Sequence, residues 1–186
     1  MFARLTAGPV QVAAGNVVGI PCWPVASHPA PGTVLRPLAG PPRPLSQYLT
    51  TFHLLVVALD PYTNESAWIL DTAGRVLETF ASADCRVGWL VAADGDGCRS
   101  FLGPWADRFT TFADPDRDLI GQLALGRLPA LVALAMDASV IGAAEGWNPT
   151  EWQRVTDELA RIVRWKGPSL PAPGDPAPYQ GTPARG

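Results

Sequence analysis

Two hydroxyls and three thiols are the side chains of this chain that invite a nucleophilic reading. The hydroxyls, Thr63 and Ser66, stand three residues apart in LLVVALDPYTNES (residues 54–66), with Asn64 and Glu65 between them. An apolar run of strand length turns there into residues with helical patterning, so both hydroxyls fall at the first turn of a helix. The unpaired N–H groups and the dipole at a helix N-terminus favour negative charge, which depresses the pKa of a thiol placed there. A hydroxyl in the same place stays protonated near neutral pH, forms no disulfide and needs a separate base to attack. The two histidines, His28 and His53, lie in no recognisable partner motif. His53 abuts a buried strand, where a satisfied core or edge histidine is expected. The simpler reading is structural: Thr63 or Asn64 caps the helix and Ser66 sits in its first turn.

The thiols are Cys22, Cys85 and Cys98, an odd number that cannot pair completely within one chain. They form no CxxC and match no zinc spacing. Cys85 precedes a strand and is expected to be inert. Cys98 follows DGDG and precedes a short helical segment; the helix start lowers its pKa while Asp94 and Asp96 raise it. Cys22 lies between Pro21 and Trp23, in a segment able to reach the body of the domain. If a thiol acts here, Cys98 and Cys22 are the candidates. DGDGCRS resembles a calcium loop only faintly, without the downstream glutamate, and reads as turn chemistry. No dinucleotide fingerprint and no metal pattern is present, so the sequence predicts no cofactor. Reduced thiols suit a cytoplasmic protein.

With 186 residues and 47% hydrophobic content, the chain suffices for one ordinary domain with extensions. A net charge of −3 offers nothing to a phosphate backbone, so no nucleic-acid partner is expected. No apolar run reaches the roughly 18 residues that would span a bilayer, so no membrane is expected either. The opening MFARLTAGPVQVAAGNVVGIP reads as retained rather than as a signal peptide. Residues 1–59 carry Arg4, Arg36 and Arg43 and no acid, leaving 11 basic and 17 acidic side chains for the remainder. A basic arm on an acidic body is expected to fold back on that body or on a partner.

Proline divides the chain: nine of the 20 fall in residues 1–46, six in 167–186, and five in the 120 residues between. Because proline fixes φ and removes a ladder donor, the ends read as an irregular arm (1–44) and an extended tail (167–186) around a domain at 45–166. The tail has little to offset its ordering entropy and is expected to be loose. The arm holds Trp23 between prolines, an anchor for the body or for a second chain.

Between them, HLLVVAL, RVGWLVAAD, ALVALAMD and SVIGAAEGW read as strands, with a short strand at TTFA. Ile69, Leu70, Ala73, Val76, Leu77 and Phe80 form one helical stripe, and Trp152, Val155, Leu159, Ile162 and Val163 another. The last helix opens at NPTEW, with Asn148 as cap, Pro149 at the first helical position and Glu151 at the capping-box position. Strands separated by helices pair in parallel, and the final hairpin pairs antiparallel, giving an α/β mixed sheet with helices on both faces.

This order resembles the thioredoxin-like fold, in its peroxiredoxin and thioredoxin-like branch, over about residues 45–165. VVALDPYTNES is similar to the strand, loop and CxxC-headed helix of that family, with Tyr62 at the aromatic, Thr63 at the first cysteine and Ser66 at the second. GRLPALVAL resembles the loop that carries its cis-proline, which implies a cis bond before Pro129. DASVIGAAEGWNPTEWQRVTDELARIV resembles its closing hairpin and helix. The resemblance implies a groove between Tyr62, Thr63, Asn64, Glu65 and Ser66 on one side and Leu128 and Pro129 on the other.

With hydroxyls at both positions, the expectation is a non-redox thioredoxin-fold module for binding or assembly, with a protein partner or a second copy of the chain. The alternative is a thiol oxidoreductase or peroxidase using Cys98 or Cys22. A third reading is similarity to the cysteine-free thioredoxin-like domains of flavin aromatic hydroxylases, where the fold serves structure and oligomerisation.

Overall fold

The alternation inside HLLVVAL decides the architecture. In a computed structural model, which describes residues 26–185, this segment is strand β3 (His53–Leu59) at the centre of a seven-stranded sheet. Successive side chains of a strand point to opposite faces. Leu55, Val57 and Leu59 enter one core and Leu54, Val56 and Ala58 enter the other, all 0–1% exposed. A continuous apolar run is what a strand covered on both faces requires.

The remaining elements follow in chain order. β1 (Val34–Pro37), β2 (Arg43–Pro44) and α1 (Leu45–Tyr48) precede β3; α2 (Asn64–Trp68), α3 (Leu70–Ala81) and β4 (Cys85–Val91) follow it. Then come α4 (Gly95–Leu102), α5 (Trp105–Arg108), β5 (Thr110–Ala113) and α6 (Asp118–Gln122). β6 (Arg127–Leu128), β7 (Ala130–Leu134), β8 (Val140–Glu145), α7 (Pro149–Val163) and β9 (Thr182–Pro183) complete the list. The sheet order is β2-β1-β5-β4-β3-β7-β8, with β3, β4 and β5 parallel and the β7–β8 hairpin antiparallel. The fold is thioredoxin-like: a mixed sheet with the α3 and α7 stripes on one face and α1 and α6 on the other.

Helix α7 starts where the sequence places it. The Asn148 side chain accepts from Thr150 N (3.0 Å) and Glu151 N (3.4 Å), and Pro149 occupies the first helical position. Glu151, read as the reciprocal half of a capping box, instead accepts from Arg154.

Three expectations need correction. The sheet extends into the arm, because β1 pairs antiparallel with β5 and β2 with β1. Their prolines are tolerated because β2 is the short edge strand and Pro37 is the last residue of β1, positions where a missing N–H costs little of the ladder. DGDG is not a turn: Asp94 Oδ1 accepts from Gly97 N at 2.8 Å, so Gly95, Asp96 and Gly97 already belong to α4. The tail is not loose. Leu170 is 9% exposed and Ala184 is 0% exposed, and residues 170–184 are tied to elements distant in sequence. Asp175 accepts from Thr72 Oγ1 (2.8 Å) and Arg75, and Trp147 Nε1 donates to Pro176 O (2.8 Å). The ordering entropy is offset by these polar contacts together with the packing of Leu170 and Tyr179 on the core. Trp23, with Cys22, lies outside the described residues.

Candidate functional site

The site is built where β3 ends. Ala58 faces Ala130 across β3 and β7, so the loop after Leu59 and the turn before Ala130 leave the sheet side by side. The first carries Asp60, Tyr62, Thr63, Asn64, Glu65 and Ser66; the second carries Leu128 and Pro129, joined by a cis peptide bond. The structure thus brings together the two stretches that the sequence pairs in one groove.

Within the first stretch, hydrogen bonds turn inward. Ser66 Oγ is fully buried and accepts from Asp60 N at 2.9 Å, while Thr63 Oγ1 lies 3.1 Å from it and donates to Asp60 O at 3.0 Å. Thr63 occupies the N-cap position of α2 with extended backbone, but its side chain caps no helical N–H. The proximity of Asp60 explains this: its backbone captures both hydroxyls before the helix can use them. Asn64 is exposed and Tyr62 is 80% exposed, the most open large side chain of the group.

Asp60 is only 5% exposed and carries a second set of contacts. Its Oδ1 accepts from Tyr62 N (3.0 Å) and its Oδ2 from Arg117 (2.8 Å). Arg117 also donates to Ala184 O, linking the loop to the tail. It sits in a left-handed conformation (φ 56°) at the start of α6. The neighbouring Asp114 receives the N–H groups of Asp118, Leu119 and Ile120 at 2.8–3.1 Å, and burial pushes its carboxyl pKa up.

Neither histidine serves the hydroxyls as a base. His53 stands at the opposite end of β3, roughly 20 Å away at a strand's rise per residue. Its Nδ1 is buried without a hydrogen-bond partner, so it is not the satisfied histidine that the sequence suggests. Strand β3 pairs on both sides through backbone groups, which leaves the ring of its first residue none to use. His28 Nδ1 accepts from Val140 N at 2.9 Å, on the other edge of the domain.

The two thiols among the described residues are no better placed. Cys98 is 0% exposed and its Sγ lies 3.6 Å from Ala93 O. Burial and the nearby Asp94 carboxylate push its thiol up to about 11 against a smaller opposing pull from Arg99. Burial pushes Cys85 up to about 12. Among the described residues no cluster of His, Cys, Asp and Glu could hold a metal ion, and no helix is long and apolar enough to cross a membrane.

Two features of the site escape a linear reading. Arg117 reaches Asp60 from 57 residues away, and the tail supplies Tyr179, whose hydroxyl donates to Glu65 O at 2.6 Å. Its ring meets Trp68 edge-to-face at 5.7 Å, and burial followed by the Glu65 charge raises its pKa. Nothing local in the sequence marks either Arg117 or Tyr179 as part of the site. A separate concave cleft follows the free edge of β8, lined by His28, Arg127, Ile141, Glu145, Arg154 and Gln180, and none of residues 62–66 enters it.

No family model matches the chain, and no curated protein matches it by sequence. Solved structures do match. Peroxidoxin BcpB from Mycobacterium tuberculosis superposes with a TM-score of 0.60 at 13% identity, over 74% of this chain and 97% of that one. The dsbF of M. tuberculosis gives 0.58 at 13% identity, over 71% and 96%. Peroxiredoxin Q of Xanthomonas campestris gives 0.58 at 14% identity, over 74% and 95%. At such identities the likeness establishes the fold: this chain is thioredoxin-like, as disulfide oxidoreductases and peroxiredoxins are.

Proposed function

We propose that the chain is a non-redox thioredoxin-fold module for binding or assembly, acting in a reducing compartment such as the cytoplasm, with a protein or a second copy as partner. One observation carries this reading. Both hydroxyls, Thr63 and Ser66, are closed onto Asp60, and by the resemblance they take the places of the family's two cysteines. Dithiol exchange and peroxide reduction both need a thiolate at this point, and a hydrogen-bonded hydroxyl supplies none. The groove walls persist without the chemistry, and the exposed Tyr62 ring gives them a contact surface. The relocated-thiol alternative draws no support from Cys98, which is buried with a raised pKa. Cys22 lies outside the described residues.

Insulin-disulfide reduction and peroxide consumption test the proposal on the full chain. The expected result is turnover at the uncatalysed background. Turnover above background that disappears in Cys98→Ser or Cys22→Ser would overturn it in favour of a thiol enzyme.

A further inference from the structure

The C-terminal segment touches both walls of the groove. Strand β9 pairs antiparallel with β6, placing Thr182 opposite Leu128 and Pro183 opposite Arg127, immediately before the cis-proline. Three residues earlier, Tyr179 bonds the Glu65 carbonyl in the first turn of α2 and bridges to Trp147 through paired N–H···O bonds of 2.8 and 2.9 Å. Ala184 N donates to Gly126 O at 2.8 Å, and Ala184 O accepts from the same Arg117 that holds Asp60.

These contacts read backbone and shape more than side-chain identity. Arg127 donates to Gly181 O at 3.0 Å and Arg117 to Ala184 O, both main-chain carbonyls. Two glycines permit the approach. Gly181 (φ 73°) lies where a Cβ would come within 2.4 Å of Leu128 O, and Gly146 (φ 65°) where one would come within 2.6 Å of Gln180. Only glycine adopts such a backbone without strain and leaves that space free. The requirements along the segment are an aromatic hydroxyl at 179, glycine at 181 and a small buried residue at 184. That is a pattern of aromatic–x–Gly–x–x–Ala with its glycine in the left-handed region. Upstream the tether is proline-rich, and residues 177 and 178 carry no side-chain hydrogen bond to the body.

We propose that residues 179–184 are a built-in occupant of the groove, and that a partner enters as a segment of the same aromatic–x–Gly–x–x–Ala pattern after displacing them. The inference rests on the binding-module reading above and supplies its gate. An occupant tethered by a short linker competes at a high effective concentration, in the millimolar range for flexible linkers. The resting chain is therefore closed to weak ligands and open to those that match the pattern or arrive at high local concentration.

The test uses a labelled peptide of residues 177–186 with three proteins: the full chain, a chain ending at Pro178, and full-length Gly181→Val. The valine cannot seat against Leu128 O, so it should lift β9 while the Asp175 and Trp147 anchors upstream stay in place. Expected results are binding to both altered proteins at least about tenfold tighter than to the full chain, and loss of binding when the peptide itself carries valine at the Gly181 position. Amide exchange at Ala184 in the Gly181→Val protein should rise by a similar factor. The inference is overturned if both altered proteins unfold cooperatively yet bind no peptide. It is equally overturned if neither folds, which would make the tail an integral element, or if the peptide binds the full chain and the altered proteins alike. Binding seen only through exchange of tails in a dimer would replace the foreign partner by a second copy. Thiol turnover measured on the chain ending at Pro178 separates the two proposals: cysteine-dependent turnover sinks the non-redox reading whatever the peptide does, whereas absent binding without turnover sinks only the gate.

Discussion

Helices α2 and α4 begin at equivalent places, each after the C-terminal end of one of the paired parallel strands β3 and β4. Each carries a fully buried nucleophile-type side chain in its first turn, Ser66 in one and Cys98 in the other. They differ in what the preceding loop does. Before α2, Asp60 turns its backbone onto the hydroxyls and its carboxylate onto Arg117, making a polar knot at the end of β3. Before α4, Asp94 caps the helix through Gly97 N and leaves the Cys98 sulfur against an apolar core, with a carboxylate beside it. A helix N-terminus therefore does not by itself make a reactive group. Burial and the nearest charge outweigh the dipole at α4, and a local hydrogen-bond network removes the hydroxyls from play at α2.

The comparison breaks most visibly in thiol reactivity. A Thr63→Cys variant places a sulfur at the half-buried start of α2, whereas Cys98 lies sealed in the core. With thiols near 8.5 and about 11, the thiolate fractions at pH 7 differ by about 10²–10³-fold. Alkylation followed by mass spectrometry should label the introduced thiol first in that variant and Cys98 only after denaturation. Comparable rates would show that the two helix starts are alike.

Removing the Ser66 hydroxyl should cost about 1–3 kcal/mol, because Ser66→Ala leaves the Asp60 N–H buried without its acceptor. Urea unfolding reads the loss, and Ser66→Cys, which keeps a weak acceptor, should recover part of it. An unchanged midpoint for Ser66→Ala would mean that the knot contributes nothing.

Alkaline titration sharpens the other side. Cys98 is held protonated in the folded chain up to about 11 while its unfolded counterpart ionises near 9. Its contribution is thus complete below pH 9 and is lost as pH rises through 11. The slope is at most about 1.4 kcal/mol per pH unit in that window. Cys85, Tyr48 and Tyr179 are raised as well and add to the total fall. The difference between the native chain and Cys98→Ala isolates the Cys98 share, and parallel stability curves for the two would refute it.

The smallest effect is expected at Tyr62. At 80% exposure, Tyr62→Ala should shift stability by no more than about 0.5 kcal/mol while weakening peptide capture in a chain that lacks its own tail. A large loss of stability would show that the ring packs on the body and is no contact surface.

Legibility in the sequence followed the range of the interactions. The apolar run of β3, the stripes of α3 and α7 and the Asn148-Pro149 start of α7 rest on contacts within a turn or on simple periodicity, so their residues declare them. The stretches at 60–66 and 128–129 could be placed side by side in advance because each adjoins a recognisable strand. Proline content misled at both ends. It marks where long ladders fail, but short strands of two to four residues and a segment held by scattered main-chain bonds are compatible with it.

The residues by themselves determined the layered α/β core, the hydroxyls at positions 63 and 66, and hence the absence of a thiolate there. Only the tertiary structure decided that those hydroxyls close onto Asp60, that Cys98 is sealed, and that the tail bonds to both Glu65 and Leu128. The physical reason is distance along the chain. Asp60 meets Arg117 across 57 residues, Arg75 meets Asp175 across 100, and Tyr179 meets Glu65 across 114, and each pairing depends on chain closure that no local pattern encodes.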